Sequence, residues 1–192
     1  GAVPQYCMVG GKWTTFRAFA EQTADAVMSE LGHERKTGTL HLPIGGGASY
    51  PADPQQLISS LSKRHAISPD RAGYLVGCYG TRAEDVLAFC AACNHDDPLA
   101  PSALMTTGEV LFLIRHEMVV RLSDIVLRRT GLAIMGEISS DLITAITEVA
   151  ADELGWYAAR LQQETDAFID ELQIFYGVSR EMLEQRSLER KK

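Results

Sequence analysis

The sequence lacks a long apolar run. Its 192 residues contain no stretch of about 18 apolar residues, the length that a membrane-spanning helix requires. The first residues also lack the charged segment and the long apolar segment of a secretory signal. We therefore expect a cytoplasmic location. A peripheral position on the inner face of the cytoplasmic membrane stays open for a longer protein that contains this chain.

Clustered positive charge is also scarce. The chain has 18 Lys and Arg residues against 25 Asp and Glu residues, and its net charge is -7. The basic residues are scattered, apart from Arg190-Lys191-Lys192 at the carboxy terminus. Non-specific binding to nucleic acids needs clustered Lys and Arg side chains that neutralise phosphates. We therefore expect no nucleic-acid partner.

The spacing of a metal site is absent as well. Cys90-Ala91-Ala92-Cys93 has the C-x-x-C pattern, but a zinc site usually needs a second pair, and Cys7 and Cys78 do not form one. No two His residues have the H-x-x-x-H or H-E-x-x-H spacing. Cys90 lies in an Ala-rich segment, where a free thiol behaves as a small buried apolar group. We predict reduced structural thiols and no metal, with redox or metal chemistry as the alternative.

Apolar residues, in contrast, are abundant enough for a core. They make up 46% of the chain, which suffices for one domain with a small additional part. Residues 5–9 predict a short buried strand, which Gly10-Gly11-Lys12 ends. Residues 14–31 have apolar side chains at helical spacing, and Gly32 is a typical residue for the end of a helix. Residues 33–52 predict a connecting loop.

From residue 53 onward the sequence predicts a helical domain. The predicted helices cover residues 54–64, 69–79, 82–93, 107–120, 122–129, 139–153, 155–176 and 179–190. Asp53, Ser68, Thr81 and Ser179 precede four of them as expected N-caps, and Thr81 has capping-box spacing with Glu84. The predicted fold class is therefore mainly α, with a helical carboxy-terminal domain after a strand-turn-helix segment.

The turn between the predicted strand and helix has the chemistry of a binding site for an electron-rich group. Its residues are Gly10-Gly11-Lys12-Trp13-Thr14-Thr15. The N-terminus of a helix has unpaired N–H groups and a partial positive charge, and glycines allow another molecule to approach the backbone closely. The spacing matches neither a P-loop nor a dinucleotide G-x-G-x-x-G motif. A tight turn with a solvated lysine and a threonine cap is the alternative.

Residues 9–17 resemble the last flavin-site motif of the FAD-dependent glycerol-3-phosphate dehydrogenases and oxidases. That motif consists of an apolar residue, Gly-Gly-Lys, an apolar residue, Thr-Thr, an aromatic residue and Arg, and every position is met here. Leu42-Pro43 with Gly45-Gly46 is similar to the family's Leu-Pro-Gly-Gly loop, although Ile44 and Gly47 depart from it. Further similarity lies in residues 79–87, 109–118, 122–130 and 153–156. The resemblance covers residues 6–172.

The resemblance implies that this chain is the carboxy-terminal part of such an enzyme. Residues 1–32 would be the last strand and helix of an FAD-binding domain, residues 33–52 the connecting loop, and residues 53–192 the helical carboxy-terminal domain. The missing amino-terminal FAD and substrate domains would be its partners. The family oxidises sn-glycerol 3-phosphate to dihydroxyacetone phosphate with FAD, and passes electrons to quinone or, in the oxidases, to oxygen. The fragment alone is expected to be inactive and free of FAD.

The same resemblance implies flavin contacts for the residues of the turn, namely Gly10, Gly11, Lys12, Trp13, Thr14 and Thr15. The glycines would allow close approach to the isoalloxazine ring, and the amides near Trp13 and Thr14 would stabilise negative charge on the reduced flavin. Lys12 would face the active site as a point charge beside the substrate phosphate or the flavin, which makes it the candidate catalytic residue. Arg17 is expected to pair locally.

The helical domain has its own group of charged residues, Arg115, Glu117, Asp124, Arg128 and Arg129. Asp124 and Arg128 have the i, i+4 spacing of an ordinary helical pair, so we predict a polar network that tethers two helices. Docking on the missing domains is the alternative role for this group. For the whole chain, the alternatives are a helical docking module without a catalytic role and an oxidase that uses oxygen. A homodimer is one of the options for the oligomeric state.

Overall fold

The computed structural model describes residues 3–10, 12–101 and 103–189. The chain divides into two compact units, with the boundary between Ala48 and Ser49. This boundary lies inside the segment for which the sequence predicts a connecting loop. Each unit has its own internal contacts, and the second has by far the larger core.

The first unit contains one α-helix, α1 (Phe16–Glu30), preceded by the 3-10 turn Trp13–Thr15. Gly32 follows α1 with a φ of +72°, a conformation that glycine adopts without steric cost. The amide of His33 donates to the carbonyl of Met28 at 2.8 Å and closes the helix end. The predicted helix and its end at Gly32 are confirmed.

The predicted strand at residues 5–9 is not observed. These residues have no regular secondary structure, and none of the described residues forms a β-strand. A strand is stable only when a neighbouring strand pairs with its backbone N–H and C=O groups. The described part of this unit offers no such neighbour. The apolar pattern of residues 5–9 is therefore present without the sheet that it requires.

The loop of the first unit is tied to α1 by side chains. Arg17 donates to the carbonyl oxygens of Thr39 and Leu42, the latter at 2.7 Å. The hydroxyl of Thr39 donates to Glu21 at 2.7 Å, and Arg35 pairs with Asp25 at 2.7 Å. The expectation that Arg17 pairs locally is wrong, because the loop returns along the helix and offers carbonyl groups 22 and 25 residues away.

The second unit is helical throughout, which confirms the predicted fold class for this part. Its α-helices are α2 (Pro54–His65), α3 (Pro69–Tyr79), α4 (Ala83–Ala91), α5 (Thr107–His116), α6 (Ser140–Leu154), α7 (Ala158–Tyr176) and α8 (Arg180–Glu189). A π-helix, Asp124–Arg129, lies between α5 and α6. Helix α5 packs against α4 and α6, and α6 also packs against α7 and α8. The middle of the core is therefore built on α5 and α6.

Three of the predicted N-caps are confirmed. The side chain of Asp53 accepts from the amide of Gln55 at 3.0 Å, that of Ser68 from the amide of Arg71 at 3.1 Å, and that of Ser179 from the amide of Met182 at 3.4 Å. The predicted cap at Thr81 is wrong. Gly80 starts a 3-10 turn that leads directly into α4, so Thr81 lies inside a helical turn and Arg82 occupies the N-cap position.

The two units differ in how much apolar surface they bury. Leu122, Ile125 and Ile146 in the second unit are fully buried, and each such side chain contributes about 1.5–3 kcal/mol relative to an exposed one. No residue of α1 in the first unit is buried. Its predicted apolar face is present, but the described residues do not cover it.

Candidate functional site

The Gly-Gly-Lys turn is exposed at the start of α1. Lys12 has an extended backbone with φ of -87° and ψ of 112°, and the chain then enters the 3-10 turn that leads into the helix. Both the amide and the hydroxyl of Thr15 donate to the carbonyl of Lys12, at 3.1 and 3.0 Å. These two bonds fix the turn and leave the side chains of Lys12 and Trp13 exposed, Trp13 to 88%.

An open pocket of about 430 Å³ lies beside this turn. It is lined by Val9, Gly10, Lys12, Trp13, Thr15, Phe16 and Phe19. The lining is mainly aromatic and aliphatic, and Lys12 is the one cation among the described residues that form it. Such a pocket suits a flat apolar ring with an electron-rich edge, because the rings pack against its face and the ammonium group and helix N-terminus face its edge.

The structure brings together most, but not all, of the predicted site residues. Gly10, Lys12, Trp13 and Thr15 line the pocket, whereas Thr14 does not. Gly11 lies outside the described residues. Sequence reasoning did not assign Phe16 and Phe19 to the site, although their spacing of three residues on one helix face is a usable signal.

A buried polar network, which the sequence did not reveal, lies in the core of the helical unit. The carboxylate of Glu109 on α5 is fully buried and accepts from Arg71 on α3 at 2.6 Å. The hydroxyls of Tyr74 and Tyr79 donate to its other oxygen at 2.9 and 2.8 Å. Arg71 also donates to the hydroxyl of Thr106 at 3.0 Å. The network joins α3 to α5 and leaves few polar atoms unsatisfied.

Burial dominates the ionisation of this network. Burial raises the pKa of Glu109, and the opposing attraction of Arg71 and of the two phenol groups is weaker. Burial also raises the pKa values of Tyr74 and Tyr79, and the nearby charge of Glu109 raises them further. The phenols therefore stay protonated and act as permanent donors, which is the behaviour of a structural tie.

The network predicted for Arg115, Glu117, Asp124, Arg128 and Arg129 is present in part, because Arg115 tethers two helices through a residue outside that group. Arg115 on α5 binds both carboxylate oxygens of Glu153 on α6, each at 2.7 Å. Asp124 pairs with Arg128 at 2.9 Å in the predicted i, i+4 arrangement. Arg129 donates to the carbonyl of Glu117 at 3.0 Å. The Arg115 pair ties α5 to α6, and the Arg129 bond holds the loop after α5 against the π-helix.

Asp124 is the centre of this loop. Its carboxylate accepts from the amides of Val120 and Arg121 at 3.0 and 2.9 Å. Burial alone would raise the pKa of Asp124, but these amides and Arg128 together hold it below its ordinary value. The predicted helix over residues 107–120 ends earlier, at His116, because Met118 adopts a φ of +53° and the chain turns onto Asp124.

Replacing Asp124 by alanine is expected to cost the helical unit about 1–2 kcal/mol of unfolding free energy at neutral pH, because two amides lose a charged acceptor that is partly screened by solvent. A carboxylate with a lowered pKa in the folded state stabilises above its unfolded pKa and loses this effect as pH falls through the folded pKa. The difference from wild type should therefore shrink in acid. Urea unfolding at neutral and acidic pH measures it, and exposed Asp170→Ala is the control that should show neither effect.

The cysteines are all free thiols in the structure. Cys90 is buried in α4, and burial raises its pKa to about 12. Cys93 is partly buried, and burial raises its pKa as well. Neither thiol therefore has the lowered pKa of a reactive cysteine. Within residues 3–10, 12–101 and 103–189, no group of three or more His, Cys, Asp or Glu side chains is placed to hold a metal ion.

None of the described helices combines the length and the apolar character that crossing a membrane requires.

Comparison with known proteins identifies similar chains. Residues 37–161 match the family model described as the C-terminal domain of alpha-glycerophosphate oxidase. A glycerol-3-phosphate dehydrogenase of Synechocystis is 29% identical over 155 residues, which cover 78% of this chain and 27% of the relative. The mitochondrial glycerol-3-phosphate dehydrogenase of Saccharomyces cerevisiae is 25% identical, over 88% of this chain and 29% of the relative.

A further bacterial relative has a similar identity and coverage. The aerobic glycerol-3-phosphate dehydrogenase of Staphylococcus saprophyticus is 27% identical over 177 residues, which cover 87% of this chain and 31% of the relative. The chain therefore spans between a quarter and a third of the length of these three relatives.

Proposed function

The chain belongs to the family of the C-terminal domain of alpha-glycerophosphate oxidase, and we propose that it is the carboxy-terminal part of an FAD-dependent glycerol-3-phosphate dehydrogenase. The complete protein would oxidise sn-glycerol 3-phosphate to dihydroxyacetone phosphate and pass the electrons to quinone. Residues 1–32 would complete the FAD-binding domain, and residues 53–192 would form the helical carboxy-terminal domain. The relatives, which are three to four times longer, support the view that most of the enzyme precedes this chain.

The pocket beside the Gly-Gly-Lys turn is the observation that supports this proposal most strongly. Its apolar lining, its single lysine and its place at a helix N-terminus fit the edge of an isoalloxazine ring. The uncovered apolar face of α1 also fits a helix that packs against a larger domain, because a helix of this length gains little stability without tertiary contacts. Both observations support the proposal that this unit contributes one side of a flavin site.

Each residue of the turn has a separate task in this proposal. Gly10 and Gly11 would let the ring approach the backbone, since a side chain there would occupy the space. The amides of Trp13 and Thr14 would donate to the ring's electron-rich edge, and Thr15 would hold the turn in shape through its bonds to Lys12. Lys12 would attract the substrate phosphate and orient it. When bound, FAD supplies the hydride acceptor, which no side chain of this chain can replace.

An oxidase is the second candidate function, because the matching family is described by an oxidase and the relatives by dehydrogenases. The two activities share the substrate and differ in the electron acceptor. A helical docking module without a catalytic role is the third, and the uncovered apolar surface of α1 is equally compatible with it.

We expect the full-length protein to be yellow with bound FAD and its flavin to bleach when glycerol 3-phosphate is added without oxygen. Glycerol, which lacks the phosphate, is the control and should leave the flavin oxidised. Turnover with a soluble quinone against oxygen uptake then separates the dehydrogenase from the oxidase. The 192-residue chain, purified alongside, should contain no flavin. A full-length protein without FAD, or one whose FAD is not reduced by glycerol 3-phosphate, would refute the proposal.

A further inference from the structure

The helical unit has an exposed surface that combines apolar side chains with arginines. The loop after α5 contributes Met118 and Val120, and the loop after the π-helix contributes Ile134 and Met135; all are exposed, Met118 and Ile134 to 88%. Arg121 and Arg129 lie in the same two segments and are also exposed. We call these six residues the methionine–arginine surface.

Hydrogen bonds hold the first segment against the π-helix, and the second segment follows that helix directly in the chain. Asp124 at the start of the π-helix binds the amides of Val120 and Arg121, and Arg129 at its end binds the carbonyl of Glu117. The loop that contains Met135 follows this helix directly and closes on itself through the bond from Met135 to Gly131 at 2.9 Å. Both loops are therefore fixed in position by hydrogen bonds while their apolar side chains point outward.

The composition of this surface is typical of a protein interface. Methionine and arginine are enriched at such interfaces, and exposed apolar clusters bordered by polar groups are typical of interaction sites. Arg121 and Arg129 form no ion pair with a carboxylate of the described residues, although the chain as a whole is acidic. Met118 adopts a left-handed backbone conformation that is unfavourable for a side chain with a Cβ, and its side chain is exposed.

We propose that the methionine–arginine surface docks the helical unit onto the amino-terminal flavin and substrate portion of the same protein. This inference rests on the proposed function, which places that portion before this chain. The relatives contain a large portion that could cover this surface, since this chain matches only 27% to 31% of three of them. The occupant is also tethered to the unit, which favours docking within one molecule over association between molecules.

The methionine–arginine surface lies within the segment that matches the family model, and this supports the proposed occupant. All six residues lie within residues 37–161, the segment that matches the family of carboxy-terminal domains. Another exposed apolar cluster among the described residues, Ile174-Phe175-Tyr176 at the end of α7, lies outside that segment. A surface that the family's larger partner contacts is expected inside the shared segment. Arg121 and Arg129, which form no ion pair among the described residues, predict carboxylates or carbonyl oxygens on the opposing surface.

Methionine oxidation tests the proposal with reporters that the chain already contains. Hydrogen peroxide converts an accessible thioether to the sulfoxide, and burial slows this reaction. We expect Met118 and Met135 to oxidise roughly tenfold more slowly in the full-length protein than in the 192-residue chain, because the interface excludes water and oxidant. Met182, which is 42% exposed and lies on α8, is the internal control and should react at the same rate in both. Mass spectrometry of peptides measures all three rates.

Substitution provides the second half of the test. Ile134→Asp in the full-length protein introduces a charge into the surface and should restore fast oxidation of Met118. Ile174→Asp, at a site that is 73% exposed on the other apolar cluster, is the matched variant and should leave the protection intact. Equal oxidation rates in the two wild-type proteins would overturn the proposal. Protection that appears only at high protein concentration would also overturn it, since a second copy would then be the occupant.

The outcome is separable from that of the proposed function. A full-length protein that has no FAD and does not respond to glycerol 3-phosphate refutes the enzyme assignment, whatever the oxidation rates are. Oxidation rates that are equal in a flavin-containing, active protein refute the docking surface alone.

Discussion

Replacing Arg71 by methionine is expected to lower the unfolding free energy of the helical unit by about 3–5 kcal/mol, the range for breaking a buried ion pair by removing one partner. Methionine fills similar space, so the loss comes from the charge and the hydrogen bonds. The carboxylate of Glu109 is fully buried and would keep only the two tyrosine hydroxyls. The carbonyl of Leu104 and the hydroxyl of Thr106 would lose a donor as well. Urea unfolding followed by circular dichroism measures the change.

Arg115→Met is the matched control, because Arg115 and Glu153 also join two helices at 2.7 Å. The side chain of Arg115 is 51% exposed, whereas that of Arg71 is 9% exposed, and water replaces most of what an exposed pair loses. We expect a much smaller loss in this variant. Equal losses in the two variants would contradict the view that burial makes the Arg71 pair important. Restoring stability with the double variant Arg71→Met, Glu109→Leu would support it.

The pH dependence of the Arg71→Met variant gives an independent check. Burial already raises the pKa of Glu109, and removal of the guanidinium should raise it further. An acid whose pKa is raised in the folded state favours folding below its unfolded pKa and loses this effect as pH rises through the folded pKa. The variant should therefore recover part of its stability as the solution is acidified and Glu109 becomes neutral. If the loss of unfolding free energy relative to wild type does not depend on pH, its cause is lost packing and not the isolated charge of Glu109.

The helices could be predicted from sequence because their signals are local. The caps at Asp53, Ser68 and Ser179 act within one turn, and the apolar spacing of the core helices repeats along each segment. Predictions failed where a local signal competed with the path of the chain. Thr81 has the residues of a capping box, but the turn that Gly80 begins leaves no extended residue for the cap. The strand at residues 5–9 needs a neighbouring strand that the described residues do not provide.

The buried network shows why long-range pairs escape sequence reasoning. Arg71 and Glu109 lie 38 residues apart, and neither belongs to a motif that would indicate the other. Glu109 also has capping-box spacing with Thr106, so its pattern predicts a local role. The amide of Glu109 does donate to Thr106 at 3.4 Å, but its carboxylate turns into the core. At the candidate flavin site, in contrast, most lining residues are neighbours in sequence, and there the pattern and the pocket agree for Gly10, Lys12, Trp13 and Thr15.

Lys12→Ala in the full-length protein is expected to reduce kcat/KM for glycerol 3-phosphate by about 100-fold, the scale for removing one charged group that stabilises a transition state. The fold should not suffer, because Lys12 is exposed and the turn is held by Thr15 through the carbonyl of residue 12, which alanine retains. Thermal unfolding and FAD content should match the wild-type values. Lys36→Ala, an exposed lysine of the same unit, is the control and should leave kcat/KM unchanged.

The division of this effect between kcat and KM identifies what Lys12 contacts. If its ammonium group binds the substrate phosphate equally in the ground and transition states, KM rises and kcat is retained. If it faces the flavin and stabilises charge that develops during hydride transfer, kcat falls and the flavin's reduction potential shifts to a more negative value. Lys12→Arg keeps the charge but changes its shape, so it should rescue the phosphate contact better than the flavin contact. An Ala variant with unchanged kcat/KM would remove Lys12 from the site and leave its exposed position as that of a solvated lysine.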